Sequence, residues 1–283
     1  QGQFTSATSS ISQRAAIEYL AGPLVVIAGP GAGKTHILTK RIEYLITQKN
    51  IMAEKILAIT FTNKAAQEIK ERLLRNKVNC ANEIDVLTFH KLGLKIITEN
   101  LKFLKLQKNF GIIADNEITE YLIKLFNLPR RETNKIATNI SFLKQYIKID
   151  EPPEFYELFE DYNNSLLKNN LLDLDDLIYL PLKLFETQKE ILMKYQKQYD
   201  WILIDEYQDI NPAQFEFIKK LYSSENKMTN LFAIGDPDQT IYTFRGADRK
   251  FILNFDKYFE NAKIIRLQKS FRCPSNIILA AQQ

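Results

Sequence analysis

Ala28-Gly29-Pro30-Gly31-Ala32-Gly33-Lys34-Thr35 packs glycines, a lysine and a threonine into one short run. A glycine-rich loop of this kind can wrap a phosphate chain with its backbone N–H groups. The lysine reaches the outer phosphates and the threonine hydroxyl can hold Mg²⁺. The strict pattern has glycine where Ala28 stands, and a strand-to-helix turn with a chance Lys-Thr pair is the plainer reading. A second cluster is Asp205-Glu206, which closes the apolar run Ile202-Leu203-Ile204. One acid at such a strand end can hold Mg²⁺ and the next can activate an attacking water. Alone, the pair reads equally well as a solvated strand end. A third cluster runs from Gly235-Asp236-Pro237-Asp238-Gln239 to Tyr242-Thr243-Phe244-Arg245-Gly246. Gln239 can sense a γ-phosphate or a catalytic water. Tyr242 and Phe244 are either base-stacking platforms or core aromatics.

These residues need elements to carry them. Leu24–Ala28, Ile56–Phe61, Ile84–Leu87, Trp201–Ile204, Leu231–Ile234 and Ile264–Leu267 are short and rich in Ile, Leu and Val, as parallel strands covered on both faces are. Helical spacing follows the first two, with Ile37, Leu38, Ile42, Leu45 and Ile46 on one face, then Ala65, Ala66, Ile69 and Leu73. Alternating strands and helices predict an α/β fold with a doubly wound parallel sheet. The glycine-rich loop, Thr60-Phe61-Thr62-Asn63-Lys64, Thr88-Phe89-His90, Asp205-Glu206, the Gln239 loop and Ser270-Phe271-Arg272 each follow a predicted strand end. Ligand crevices of open α/β sheets lie at the carboxyl ends of the strands, so these clusters should converge. Between about Leu101 and Tyr199 the pattern is almost continuously helical, punctuated by Leu128-Pro129 and Pro152-Pro153. That stretch reads as an inserted helical subdomain.

The chain has 283 residues, 45% hydrophobic and 25% charged, enough to bury a core without disulfides or metal staples. Such apolar content excludes a disordered chain. A net charge of +4 is too mild to announce nucleic acid by itself and excludes a polybasic tail or acidic scaffold. Cys80 and Cys273 have no metal-ligand spacing and read as reduced thiols of a cytoplasmic protein. No apolar run approaches the ~18 residues of a membrane span, so no membrane partner is expected. Residues 1–10 are polar and read as a flexible N-terminus, and Ser275–Ala281 reads as a helix with no stop signal.

Taken together in this order, the motifs closely resemble those of superfamily 1 helicases of the UvrD/Rep/PcrA type, from about Ile11 to Ile278. The resemblance implies a RecA-like P-loop NTPase domain of residues 11–104 and 171–283, with an insert at 105–170. It implies ATP and Mg²⁺ as cofactors. Gln13 and Arg14 look like the adenine-reading motif, and Ala28, Gly29, Pro30, Gly31, Ala32, Gly33, Lys34 and Thr35 like the phosphate cradle. Thr35 and Asp205 would hold the metal. Lys34, Asp205, Glu206, Gln239 and Arg272 would carry catalysis, with Arg272 on the γ-phosphate. Phe61, Thr62, Asn63, Thr88, His90, Tyr242, Phe244 and Arg245 stand where relatives contact single-stranded DNA. Leu172-Asp173-Leu174-Asp175-Asp176-Leu177 matches a further family signature and reads equally well as a charged helix start.

Three positions depart from the pattern. His36 replaces the usual Arg, Phe271 the usual Tyr, and Phe244 the usual Trp. In relatives the first two places flank adenine, so a His36–Phe271 sandwich is expected. Its imidazole lacks a permanent charge, which implies weaker nucleotide binding. The resemblance further implies a monomeric 3′→5′ translocase acting on 3′-tailed duplex DNA in replication or repair. Its second RecA-like domain is absent from this chain, so the chain alone is expected to bind ATP and not to unwind. An ATPase subunit of a helicase–nuclease complex shares these motifs. A non-hydrolysing nucleotide-binding recruitment module is the reading from another class.

Overall fold

The computed structural model describes residues 11–78, 80–146, 153–222, 229–240 and 246–267. The expected helix at Ser275–Ala281 and the residues Tyr242, Phe244, Arg245, Phe271 and Arg272 lie outside them. In chain order the elements begin α1 (Ile11–Glu18), β1 (Leu24–Ala28), α2 (Lys34–Lys49), β2 (Ile56–Thr60), α3 (Asn63–Arg75) and β3 (Asp85–Thr88). Next come α4 (Phe89–Glu99), α5 (Leu101–Leu104), β4 (Gly111–Ile112), α6 (Asp115–Phe126), α7 (Arg130–Tyr146) and α8 (Pro153–Lys168). After β5 (Leu171–Leu172), α9 (Asp176–Thr187) and α10 (Lys189–Gln198), the chain continues as β6 (Trp201–Ile204), α11 (Pro212–Leu221) and β7 (Asn230–Gly235). The last described elements are α12 (Lys250–Leu253), α13 (Phe255–Tyr258) and β8 (Lys263–Leu267).

The chain divides into two compact units, one of Gln1–Thr88, Lys194–Ile210 and Tyr222–Gln283, the other of Phe89–Met193 and Asn211–Leu221. The first is the α/β fold the strand pattern predicts. Its six strands run in the order β3-β2-β6-β7-β1-β8, and every pairing is parallel. Register brings Val26 opposite Ile234 on one side and Ile265 on the other. Strands β2 and β6 are buried throughout because neighbours and helices cover them, which is why they read as unbroken apolar runs. The edge strand β8 instead exposes Lys263 and Arg266, charges that discourage pairing with another sheet. One core of Val26, Ile37, Leu38, Ile42, Ile69, Leu203, Phe232 and Ile234 joins the sheet to α2 and α3. Strand β7 separates β6 from β1, so the loops after all three share one edge.

The second unit is helical apart from the two-residue strands β4 and β5, which pair in parallel and interrupt the expected helix pattern. It is wider than the expected insert at 105–170, because α4 packs on α9 and α11 packs on both α9 and α7. Leu122, Ile140, Tyr162 and Leu166 form one of its cores. Within it the Leu172–Leu177 signature is resolved as architecture. Asp173 accepts from the Asp176 backbone N–H at 2.8 Å, and Asp176 from that of Asp173 at 3.0 Å, a reciprocal cap on the start of α9. The same two carboxylates hold Lys144 Nζ at 2.6 and 2.7 Å. The Tyr162 hydroxyl donates to Asp173 at 3.0 Å, while Ser141 and Gln145 donate to Asp175. Burial alone lowers the Lys144 ammonium, but Asp176 and Asp173 outweigh it and raise its pKa.

Candidate nucleotide site

The glycine-rich loop joins β1 to α2 with the geometry its residues require. Gly31 (φ 74°) and Gly33 (φ 83°) are left-handed, a region that side chains with a Cβ rarely adopt. Gly33 caps α2, accepting from the Ile37 N–H at 2.9 Å, so Lys34 and Thr35 open that helix. Free N–H groups at this helix start, together with its dipole, suit an anion. Ala28, the departure from the strict pattern, is buried in the core at the end of β1. Its methyl group packs there, which accounts for alanine at that place.

Helix α1 brings Gln13 onto this loop, where its Nε2 donates to the Ala32 carbonyl at 3.1 Å. Arg14 is instead paired with Glu18 one turn along, at 2.8 Å, and is largely exposed. Arg41 holds α1 in place, a role the sequence reading does not assign. Its buried guanidinium donates to the carbonyls of Ala16 (2.8 Å) and Ile17 (3.1 Å) and lies 4.7 Å from the Phe232 ring centre. Burial pushes it down to about 9, so it is still charged at neutral pH. The available signal was its place beside Ile37, Leu38, Ile42 and Leu45 on the apolar face of α2.

The acids after β6 come to the same edge. Asp205 is buried and accepts from the Glu206 N–H at 3.0 Å, with the Thr35 hydroxyl near enough to act on its charge. Burial first, and the Glu206 carboxylate next, push Asp205 up to about 7, against the pull of that N–H, Lys34 and Thr35. Glu206 sits in left-handed backbone (φ 49°, ψ 41°), a conformation that costs a non-glycine residue ~1–3 kcal/mol. This strained turn aims its carboxylate at Lys34 Nζ, 2.9 Å away. Lys34 Nζ also donates to Gln239 Oε1 at 3.4 Å, and Gln239 Nε2 donates to Asp236 Oδ2 at 2.7 Å. Lys34, Thr35, Asp205, Glu206 and Gln239 are therefore brought together from the ends of three neighbouring strands.

His36, at the outer edge of the loop, is exposed. Partial loss of water, with Lys40 and Arg72 nearby, lowers its pKa and keeps the imidazole neutral at pH 7. With Thr39, Lys40, Arg72, Arg75 and Asn76 it lines an open cleft of about 350 Å³ between α2 and α3. The sequence reading does not single out those two arginines, which look like an ordinary solvated helix face.

Other expected contacts follow β2 and β3 along the chain. Thr60 and Thr88 are register partners at the ends of β2 and β3, both buried. Phe61 is half-buried, and Thr62 caps α3 by accepting from the Ala65 N–H at 3.1 Å. Asn63 is exposed at the start of α3, and His90 is exposed on α4, in the helical unit. No described helix is long and apolar enough to cross a membrane.

Comparison with known proteins agrees with the motif order. Residues 9–260 match the model of the UvrD/REP helicase N-terminal domain. The chain is 38% identical to the ATP-dependent DNA helicase PcrA of Bacillus subtilis, over 96% of this chain and 38% of that protein. Against the ATP-dependent DNA helicase Rep of Buchnera aphidicola the identity is 34%, over 96% of this chain and 44% of that protein. A probable DNA helicase II homolog of Mycoplasma capricolum is 38% identical over 94% of this chain and 39% of its own length. The chain thus spans about two-fifths of the curated relatives it matches. It belongs to the UvrD/REP helicase N-terminal domain family.

Proposed function

We propose that the chain is the ATP-binding N-terminal portion of a 3′→5′ single-stranded-DNA translocase that couples ATP hydrolysis to unwinding in replication or repair. The observation that carries this reading is the meeting of Lys34 with Glu206 (2.9 Å) and Gln239 (3.4 Å) beside the Thr35–Asp205 pair. A phosphate-binding cation, an acid pair and a sensor amide are then within reach of one reacting phosphorus. The names of the relatives, ATP-dependent DNA helicases, support the same nucleotide and substrate class.

In this reading the loop N–H groups and Lys34 hold the β- and γ-phosphates, with Arg272 on the γ-phosphate. Gln13 reads the adenine edge, and His36 and Phe271 flank the ring. Thr35 and Asp205 would hold Mg²⁺. Their donor set suits it: Asp205 is a buried carboxylate with the Thr35 hydroxyl near enough to lower its pKa. Among the described residues no group of three or more His, Cys, Asp or Glu forms a metal cage. The ion, when bound, neutralises charge on the phosphate oxygens. Glu206 takes the proton of the attacking water, and Gln239 positions that water or the γ-phosphate. Because Lys34 pairs with Glu206 here, phosphate binding at Nζ exchanges a carboxylate for phosphate oxygens and frees Glu206 for the water.

In this reading Phe61, Thr62, Asn63, Thr88, His90, Tyr242, Phe244 and Arg245 are the residues that contact single-stranded DNA. A second RecA-like domain in cis completes the site in this reading, since the relatives are more than twice as long as the matched stretch. The whole protein would work in the cytoplasm as a monomer. The full set Lys34, Thr35, Asp205, Glu206, Gln239 and Arg272 favours hydrolysis over a passive recruitment module. Titration with a fluorescent ATP analogue should show Mg²⁺-dependent binding by this chain, with slow hydrolysis and no unwinding. A DNA-stimulated ATPase of ordinary helicase speed from this chain alone would overturn the division of labour between two domains.

A further inference from the structure

Gln208 belongs to the run Asp205-Glu206-Tyr207-Gln208-Asp209 that resembles the family's metal-and-base motif but has no role assigned there, and its carboxamide is fully engaged at the site. It lies two residues past Glu206 in the short turn Tyr207–Asp209 and is 2% exposed. Its Nε2 donates to Glu206 Oε2 at 2.9 Å and to Asp209 Oδ2 at 3.2 Å. Its Oε1 accepts from the Asp236 backbone N–H at 3.0 Å. Gln208 thus spans from the acid after β6 to the loop after β7.

Two further observations separate this from a merely satisfied buried glutamine. Glu206 Oε2 is also the oxygen that Lys34 takes, so both donors converge on one side of the carboxylate. Among the described residues Glu206 Oε1 accepts no hydrogen bond, which leaves that oxygen for a water proton. The second observation is Gly235, the residue before Asp236. A Cβ there would stand 2.4 Å from Gln208 Oε1, 2.9 Å from Ile252 Cδ1 and 3.1 Å from the Gln208 backbone nitrogen. Bare backbone at the end of β7 is what lets the carboxamide lie between the two strand ends. The bonds then close a ring: Lys34 to Glu206, Glu206 to Gln208, Gln208 to Asp236, Asp236 to Gln239, and Gln239 back to Lys34.

We infer that Gln208 is a positioning residue that fixes the Glu206 carboxylate by one oxygen and ties it to the Asp236–Gln239 loop, with Gly235 providing the space. The inference rests on the reading of Glu206 as the base. It requires that loss of the carboxamide slow the chemical step and leave nucleotide binding nearly intact, because Gln208 itself bonds none of Lys34, Thr35 or the loop N–H groups.

The test is ATP turnover by the full-length protein. Gln208→Leu, similar in size but without hydrogen bonds, should lower kcat by ~10–100-fold, the usual cost of losing an orienting partner, with KM for ATP changed by less than about threefold. Gly235→Ala should do the same by displacing the carboxamide. In a Gln208→Ala background the Gly235→Ala change should cost much less, since the crowded atom is gone. Thermal melting reports folding, and if Gln208→Leu fails to fold, the Gly235→Ala pair carries the test. A kcat near wild type, strictly additive Gly235 and Gln208 effects, or a KM rise matching the kcat loss would each overturn the inference. Glu206→Gln, run alongside, separates the premise. Turnover by that variant would remove the base itself, whereas an inactive Glu206→Gln beside a normal Gln208→Leu would remove only the positioning role.

Discussion

Lys34 and Lys144 each face a pair of acids, and the two regions use the same residue types to opposite ends. Lys144 meets Asp173 at 2.6 Å and Asp176 at 2.7 Å, with all three side chains at most 4% exposed. Every carboxylate there also takes a backbone N–H, so the network is finished as it stands. Lys34 meets Glu206 at 2.9 Å, but the glutamate side chain is 36% exposed and the glutamine partner stands at 3.4 Å. Its acids are unequal: Asp205 is buried and pushed up to about 7, while Glu206 reaches solvent from a strained backbone. A closed network holds a fold together, whereas an open one can exchange partners with a ligand. The difference lies in burial and in how many lone pairs the backbone has already filled.

The sharpest way to break this contrast is to cut each region at one atom. Glu206→Gln should lower turnover by ~10²–10⁴-fold, the usual contribution of a general base, while ATP binding persists and the melting temperature holds. Near-normal turnover would make the open site no more than another structural pair. Lys144→Met should do the reverse. It leaves two buried acids without their cation and should cost ~3–5 kcal/mol of stability in denaturant unfolding, with nucleotide affinity of the folded fraction unchanged. A loss under ~1 kcal/mol would mean that water reaches the network despite its burial.

Titration sharpens the same comparison. Burial first, then Asp173 against the pull of Lys144, raises Asp176 from its ordinary 3.8 to about 6. The folded state therefore keeps a proton that the unfolded chain has released. That stabilisation is fully present below 3.8 and is lost as pH rises through about 6. Unfolding free energy of the parent should thus fall across this window relative to Asp176→Asn, which carries no such proton. Parallel curves for the two proteins would show that Asp176 stays ionised. Smaller effects belong to the periphery. Thr62→Ala removes the α3 cap and should cost ~1 kcal/mol. Arg14→Ala, at an exposed pair, should leave the melting temperature where it was, and a clear drop would point to a closer role for Arg14.

Strands β1 and β6 begin and end where their apolar runs do, and the glycines at 31 and 33 adopt the backbone that their type and spacing announce. Those features were legible because short-range sterics and burial pattern decide them. The helical unit was legible as helices only. Strands β4 and β5 are two residues each, too short to carry a period-2 signal. The sequence also left the Leu172–Leu177 acids poised between chemistry and helix start. Lys144, which resolves them, lies 29 and 32 residues away, beyond the reach of any local spacing.

The residue sequence by itself determined that a phosphate loop, an acid pair and a sensor loop each follow a strand, since each is a local run with its own steric or burial signature. Only the tertiary structure decided which strand ends are neighbours. With β7 between β6 and β1, Gln208 reaches Asp236 across 28 residues and Gln239 reaches Lys34 across 205. It also decided which lysine is a latch and which a staple. Charge and size are properties of the residue, but the water it keeps and the lone pairs left open to it depend on what the rest of the chain packs around it.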